Sequence, residues 1–321
     1  MREDTNGAAP EVTIVEVAPR DGFQVVKPFI PTDQKIGVVE ALAAAGFQRM
    51  EIGAYVSPKA IPQMADLGEI LGRAKLPEHM RLQVLVPNRR GLEMALRAGI
   101  RDICWVVSVS ESHNQSNVCR TVEESLSDFE AAWAELGCEV ALLRFNLATT
   151  FDCPFEGRTV EAEVDRCIER VIAAAPKVEF GLCDTTGRAA TDHVEDLCSS
   201  AVNRYGSDDV TFAFHGHDTY NLGVANALAA YRAGVRVLDG AVAGLGGCPF
   251  APGASGNTGS EDLVFAFEHM GVRTGINMEK LLAAADMAQE VAPDQAAGRI
   301  RTVPRRRVLA GYGRETQGIT S

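Results

Sequence analysis

Short runs rich in β-branched and aromatic residues alternate along this chain with longer stretches whose apolar positions recur at helical spacing. The runs that predict strands are Val12–Val17, Arg49–Ile52, Leu82–Val86, Ile103–Val109, Val140–Asn146, Val178–Cys183, Val210–Phe214 and Val237–Ala241. Helical patterns lie between them at Asp33–Ala45, Arg90–Ala98, Thr121–Leu136, Thr159–Ala175, Ala190–Tyr205, Leu222–Ala233 and Glu261–Met270. Several stop at glycine (Gly46, Gly99, Gly137, Gly234 and Gly271), the usual residue just past a helix C-terminus. Eight strand–helix repeats predict an α/β fold, a TIM (β/α)8 barrel. A doubly wound open sheet is the competitor, but no GxGxxG follows an early strand and eight repeats is many for that fold. The expected division is a disordered leader over residues 1–11, a barrel over 12–275, and a C-terminal helix (Met278–Val291) with a weakly structured tail over 276–321.

A barrel of this kind carries its chemistry at the C-terminal ends of its strands. Reactive side chains gather at those positions here. The first strand runs into Arg20 and Asp21, and the second carries Glu51. The fourth ends near Ser110, and the fifth contains Arg144 and Asn146. Asp184 closes the sixth, His215 and His217 the seventh, and Cys248 and Asn257 lie in the loop after the eighth.

Bulk properties narrow the partners. The 321 residues carry a formal net charge of −12, which argues against nucleic acid or an anionic membrane as partner, because phosphate rewards clustered cations. Arg299–Arg307 is a local basic exception, read as a solvated tail or as a segment touching an anionic ligand or neighbouring subunit. No apolar run reaches the roughly 18 residues of a membrane helix, and no signal pattern opens the chain, so a cytoplasmic location is expected. Eight cysteines without a CxxC pair make neither a disulfide framework nor a structural zinc site, and only Cys248 sits in a setting that suggests chemistry.

His215-Gly216-His217 follows an apolar strand, and side chains two apart on a strand share a face, so both imidazoles can converge on one ion. Gly216 is expected to remove bulk beside that ion, and Asp218 to orient an imidazole. Asp21, in the PRDGFQ turn, supplies a hard carboxylate ligand, with Gly22 allowing close backbone approach; an amide oxygen such as that of Asn257 fits the same shell. Two imidazoles and oxygen ligands without cysteine favour Mg2+ or Mn2+.

Five long motifs carry a resemblance: VEVAPRDGFQ (Val15–Gln24), YVSPKAIPQMAD (Tyr55–Asp66), CDTTG (Cys183–Gly187), HGHDTYNLGVANALAA (His215–Ala230) and AVAGLGGCPFAPGASGN (Ala241–Asn257). Over about residues 12–290 the chain resembles the 3-hydroxy-3-methylglutaryl-CoA lyases of the DRE-TIM metallolyase superfamily. The resemblance implies that Asp21, His215, His217 and Asn257 bind a divalent cation, Mg2+ or Mn2+. It implies that Arg20 and Cys248 are the catalytic arginine and cysteine, and that Glu51 and Asp184 are the acidic active-site residues. Gln24 matches a substrate-side glutamine, Ser110 and Arg144 are expected to contact substrate, and a homodimer is implied.

In such chemistry a tertiary alcohol loses its proton and the adjacent carbon–carbon bond breaks, releasing a keto acid and an acetyl-CoA enolate. Asp21 or Asp184 can take the proton, Arg20 can offset charge on the thioester oxygen, and Cys248 can protonate the enolate. Departures at Ile52–Tyr55, Phe23, His113, Gln115 and Thr149–Cys153 are expected to line the mouth and reshape the acyl pocket, so citramalyl-CoA or an isohexenylglutaryl-CoA is an alternative substrate. A Claisen-condensing synthase of the same superfamily is a further alternative, disfavoured by the Cys248 loop; a decayed, non-enzymatic binding member is the last.

Overall fold

The structure is a computed structural model and describes residues 9–247 and 256–311. Eight parallel strands close on themselves in chain order. They are β1 (Thr13–Glu16), β2 (Arg49–Ala54), β3 (Arg81–Val86), β4 (Asp102–Ser108), β5 (Leu142–Ala148), β6 (Val178–Asp184), β7 (Val210–Gly216) and β8 (Val237–Gly240). Closure is made by β8 pairing with β1 in the register Thr13↔Val237 to Glu16↔Gly240. The expected TIM barrel is therefore the observed fold.

Around it lie α1 (Thr32–Ala45), α2 (Leu67–Arg73), α3 (Arg89–Arg97), α4 (Glu111–Val118), α5 (Val122–Leu136), α6 (Glu161–Ala174), α7 (Thr191–Tyr205), α8 (Gly223–Arg232) and α9 (Ser260–His269). Two of these escape the sequence pattern for physical reasons. The α2 segment LGEILGR is only about two turns long and is interrupted by glycine, and ESHNQSNV in α4 has almost no apolar stripe to read. Four of the expected terminating glycines do adopt left-handed φ, from 78° to 106°. Gly137 does not. It stays right-handed, and the chain tightens there into a 3-10 turn.

β6 and β7 run past their apolar stretches into Asp184 and His215-Gly216, because an inward-facing polar residue still continues the ladder. Alternation along β5 sorts the two faces. Phe145 packs edge-on against Phe129 of α5 at 4.8 Å, while Arg144 and Asn146 face the barrel interior. That interior is polar where a barrel of this type usually packs branched aliphatics. Arg144 on β5 reaches Asp239 on β8, and Arg49 on β2 reaches Glu179 on β6; neither pair lies on neighbouring strands, so both contacts cross the lumen.

After the eighth unit, α10 (Met278–Val291) buries Met278, Leu281, Leu282, Ala284, Ala285 and Ala288, and Asn277 N donates to Ala45 O at the end of α1. The stretch expected to begin a loose tail is tied down instead. Ala297 N and Gly298 N donate to Ala243 O, Arg299 N and Ile300 N donate to Asp262, and α11 (Arg305–Gly311) follows. Basic residues of Arg299–Arg307 are partly committed as well, with Arg305 paired to Asp286 and Arg299 Nη2 3.2 Å from Asn221 Oδ1.

Candidate active site

The strand β1 leads into a π-helical turn over Ala18–Gly22, in which Asp21 N donates to Val17 O at 2.8 Å. Single π-turns recur at functional sites because they re-aim one side chain out of the regular ladder. Gly22 is required there: a Cβ would lie 2.8 Å from Leu245 Cβ, so only glycine lets the β8 loop close onto the turn. At the other end of that contact, Asp218 N donates to Gly256 O and Thr258 N to Gly216 O, and His217 and Asn257 form an antiparallel bridge. These bonds stitch the far end of the glycine-rich loop to the end of β7, which places Asn257 beside His217.

Asp21, His215 and His217 present one ligand atom each within 4.8 Å of one another, and all three are buried. Asn257 Nδ2 donates to Asp21 Oδ2 at 2.7 Å and to Leu245 O at 2.9 Å, which leaves its Oδ1 buried with no hydrogen-bond partner. His217 Nδ1 is likewise buried and without a hydrogen bond. A buried acceptor left unbonded is costly, and a divalent cation would satisfy the Asn257 oxygen, while His217 presents Nε2 3.7 Å from Asp21 Oδ2. The donor set therefore fits the expected cation.

The imidazole of His215 is oriented by Asp239, whose Oδ2 lies 3.1 Å from Nδ1, so Nε2 is the nitrogen left for the cluster. Asp218, expected in that role, instead accepts Gly223 N at 2.7 Å at the start of α8. Gly216 also serves another purpose than expected. A Cβ there would meet the Phe214 ring at 2.6 Å, on the face away from the imidazoles, so its smallness serves packing and not the ion.

Arg20 is pinned on two sides, by Glu51 at Nε and by Asp21 at Nη1, while Nη2 makes no hydrogen bond among the described residues. Glu51 is completed by Gln83 Nε2 at 3.0 Å. Burial pushes Asp21 toward protonation, but the adjacent guanidinium outweighs it and holds the carboxyl far below the usual carboxylate range. Gln24 Nε2 donates to Asp21 Oδ1 at 2.6 Å, which makes Gln24 a brace for the carboxylate.

Asp184 is fully buried at the end of β6. Its Oδ1 accepts Gly187 N at 3.0 Å, and its Oδ2 has only long contacts, 3.3 Å from Ala189 N and 3.4 Å from Asn226 Nδ2. Burial raises its pKa.

Three expected substrate-side residues sit otherwise. Arg144 is wholly inside the barrel, its Nε, Nη1 and Nη2 donating to Asn146, Glu179 and Asp239, so no face of it is open to a substrate. Ser110 Oγ caps α4 by accepting His113 N at 3.1 Å and lies 2.8 Å from Cys153 Sγ. His113, expected on the rim, is buried against Ser108, its Nδ1 2.7 Å from Ser108 Oγ, and burial lowers its pKa to about 4. Cys248 lies outside the described residues.

A second acidic cluster was invisible in the sequence, since Glu16 meets the adjacent pair Glu261-Asp262 only through the β1–β8–α9 junction. Glu16 accepts Ala18 N and Val242 N at 2.9 Å and Ser260 Oγ at 2.7 Å, and Glu261 accepts Ala243 N at 3.0 Å. Burial pushes Glu16 up to about 7, and burial together with Asp262 pushes Glu261 up to about 8. Both folded values exceed the ordinary 4.5, so the stability they contribute is full below pH 4.5 and is lost as pH rises through 7 to 8. The melting temperature is expected to fall between pH 5 and pH 8.5, and Glu261→Gln to flatten that fall in a calorimetric series. An equal slope in the variant would remove Glu261 as its source.

A family model described as HMGL-like matches residues 11–288. The chain is 39% identical over 285 residues to an (R)-citramalyl-CoA lyase of Chloroflexus aurantiacus, covering 86% of this chain and 89% of that protein. It is 36% identical over 280 residues to the hydroxymethylglutaryl-CoA lyase YngG of Bacillus subtilis, covering 87% and 93%. Among solved structures, an HMG-CoA lyase from Acinetobacter baumannii in complex with coenzyme A and 3-methylmalate superposes with a TM-score of 0.84 at 34% identity, over 97% of both chains.

Proposed function

From its place in the HMGL-like family, to which this chain belongs, we infer that it is a carbon–carbon lyase that cleaves 3-hydroxy-3-methylglutaryl-CoA to acetyl-CoA and acetoacetate with a divalent cation, Mg2+ or Mn2+. The observation that carries the reading is the convergence of Asp21, His215 and His217 on one point beside the pinned guanidinium of Arg20. A cation held by Asp21, His215, His217 and Asn257 supplies Lewis acidity toward the substrate's C3 hydroxyl and a neighbouring oxygen.

The residues of the chain do the rest. The C3 hydroxyl proton passes to a carboxylate; Asp184 Oδ2 suits the task because both its contacts are long, whereas both oxygens of Asp21 are engaged. The electron pair left on oxygen forms the ketone as C2–C3 breaks, and the pair from that bond becomes the thioester enolate. Arg20, fixed in one orientation by Glu51 and Asp21, directs Nη2 at the charge developing on the thioester oxygen. Cys248 is read as the acid that returns a proton to C2, completing acetyl-CoA.

A second reading has its own support. The citramalyl-CoA lyase relative is 39% identical, and a substrate shorter by one methylene changes pocket discrimination by only about 1–3 kcal/mol. The purified protein with Mg2+ or Mn2+ is therefore expected to release acetyl-CoA and acetoacetate from 3-hydroxy-3-methylglutaryl-CoA faster than acetyl-CoA and pyruvate from citramalyl-CoA. The reverse order in kcat/KM would transfer the assignment to the second substrate, and no cleavage of either would end the lyase reading.

A further inference from the structure

Charged groups in the barrel lumen join two of the candidate metal ligands from behind. Arg144 Nη2 donates to Asp239 Oδ2 at 3.0 Å, and that same oxygen lies 3.1 Å from His215 Nδ1. Arg144 Nη1 donates to Glu179 Oε1 at 2.9 Å, and Nε to Asn146 Oδ1 at 2.8 Å. From Glu179 the contacts continue through Arg49 Nη1 at 3.0 Å, then from Arg49 Nε to Gln83 at 2.7 Å, and from Gln83 to Glu51 at 3.0 Å. Glu51 pairs with Arg20, and Arg20 with Asp21. The run thus leaves the site at His215 and returns to it at Asp21.

Space for the guanidinium is built into the fold. A Cβ at Gly181 on β6 would lie 1.9 Å from Asn146 Oδ1 and 2.6 Å from Arg144 Nε, so this position must be glycine for Arg144 to lie where it does. The planar fork sends three nitrogens to acceptors on β5, β6 and β8, which leaves it no rotational freedom. Charge balance alone would not need that geometry; any cation between Glu179 and Asp239 would provide it.

We propose that Arg144 is a positioning residue for the metal site: its fork locks Asp239, and Asp239 holds the ring of His215 with Nε2 turned toward Asp21 and His217. The proposal rests on the metal-dependent reading of the site. An imidazole held by a fixed carboxylate loses little freedom on binding an ion, and loosening such a support typically costs about 10–100-fold in metal affinity.

Arg144→Lys separates positioning from charge balance, because it keeps the cation and loses the fork. Titration of the purified full chain with Mn2+, read by the paramagnetic resonance signal of unbound Mn2+, is expected to show Kd raised about 10-fold in Arg144→Lys. Melting in the presence of chelator, measured alongside, reports the purely structural contribution. A lysine variant that melts lower but binds Mn2+ as the wild type does overturns the proposal. Should lysine fail to fold, Asp239→Asn tests the same link at constant volume, since Arg144 reaches His215 only through Asp239; unchanged Mn2+ affinity there overturns it equally. A wild-type chain that binds no Mn2+ overturns the metal reading and this proposal together, whereas wild-type binding matched by the variants overturns this proposal alone.

Discussion

Chelation of the divalent cation is expected to abolish cleavage, and His217→Ala or Asp21→Asn to reproduce that loss in the presence of saturating Mn2+. The reason lies in what the cluster contains without the ion: a buried amide oxygen on Asn257 with no hydrogen bond, beside His217 Nε2 at 3.7 Å from Asp21 Oδ2. His217→Ala deletes a ligand; Asp21→Asn keeps the shape and deletes the only carboxylate in the proposed set. Lewis-acid stabilisation is worth several kcal/mol, and each 1.36 kcal/mol is a factor of ten, so kcat/KM should drop by about 10³ or more. Metal content and turnover measured on the same preparations decide the matter. A variant that has lost the ion but turns over at the wild-type rate would sink the metal-dependent mechanism.

Arg20→Lys is expected to lower kcat by about 10²–10³-fold while KM shifts much less. Lysine carries the same charge but has no fork, so it cannot answer Glu51 and Asp21 and still aim a donor at the substrate. Charge accumulates on the thioester oxygen only as the bond breaks, so the lost interaction belongs to the transition state and shows in kcat. Steady-state kinetics on the chosen thioester, with Mn2+ affinity measured in parallel, checks it. A drop confined to KM would move Arg20 from catalysis to ground-state binding. Loss of Mn2+ binding as large as the loss of kcat would reassign it to holding Asp21.

Much of the site was legible because a barrel converts strand ends into neighbours. His215 and His217 announce themselves by their spacing of two on a strand, and Arg20-Asp21 by the turn that follows β1. Arg144 was misread for the same reason that made the others readable. It lies on a strand and is polar, but it sits in the middle of β5, so it points into the lumen below the mouth. Position along the strand, and not residue type, separates a ligand from a buried strut. His113 was misplaced on similar grounds: a polar residue in a polar run after β4 was expected to line the mouth, yet it turns inward to Ser108.

The amino-acid sequence by itself determined the repeating strand–helix order, the barrel, and the identity of the three residues that meet as a ligand cluster, because hydrophobic periodicity and strand alternation are local properties of the chain. Only the tertiary structure decided what stands behind those ligands. Asp239 in place of Asp218 orients His215, and Arg144 spans from β5 to β8, each a contact between residues far apart in the chain. Such partners depend on where the closed sheet brings side chains across the lumen, and no local pattern encodes that distance.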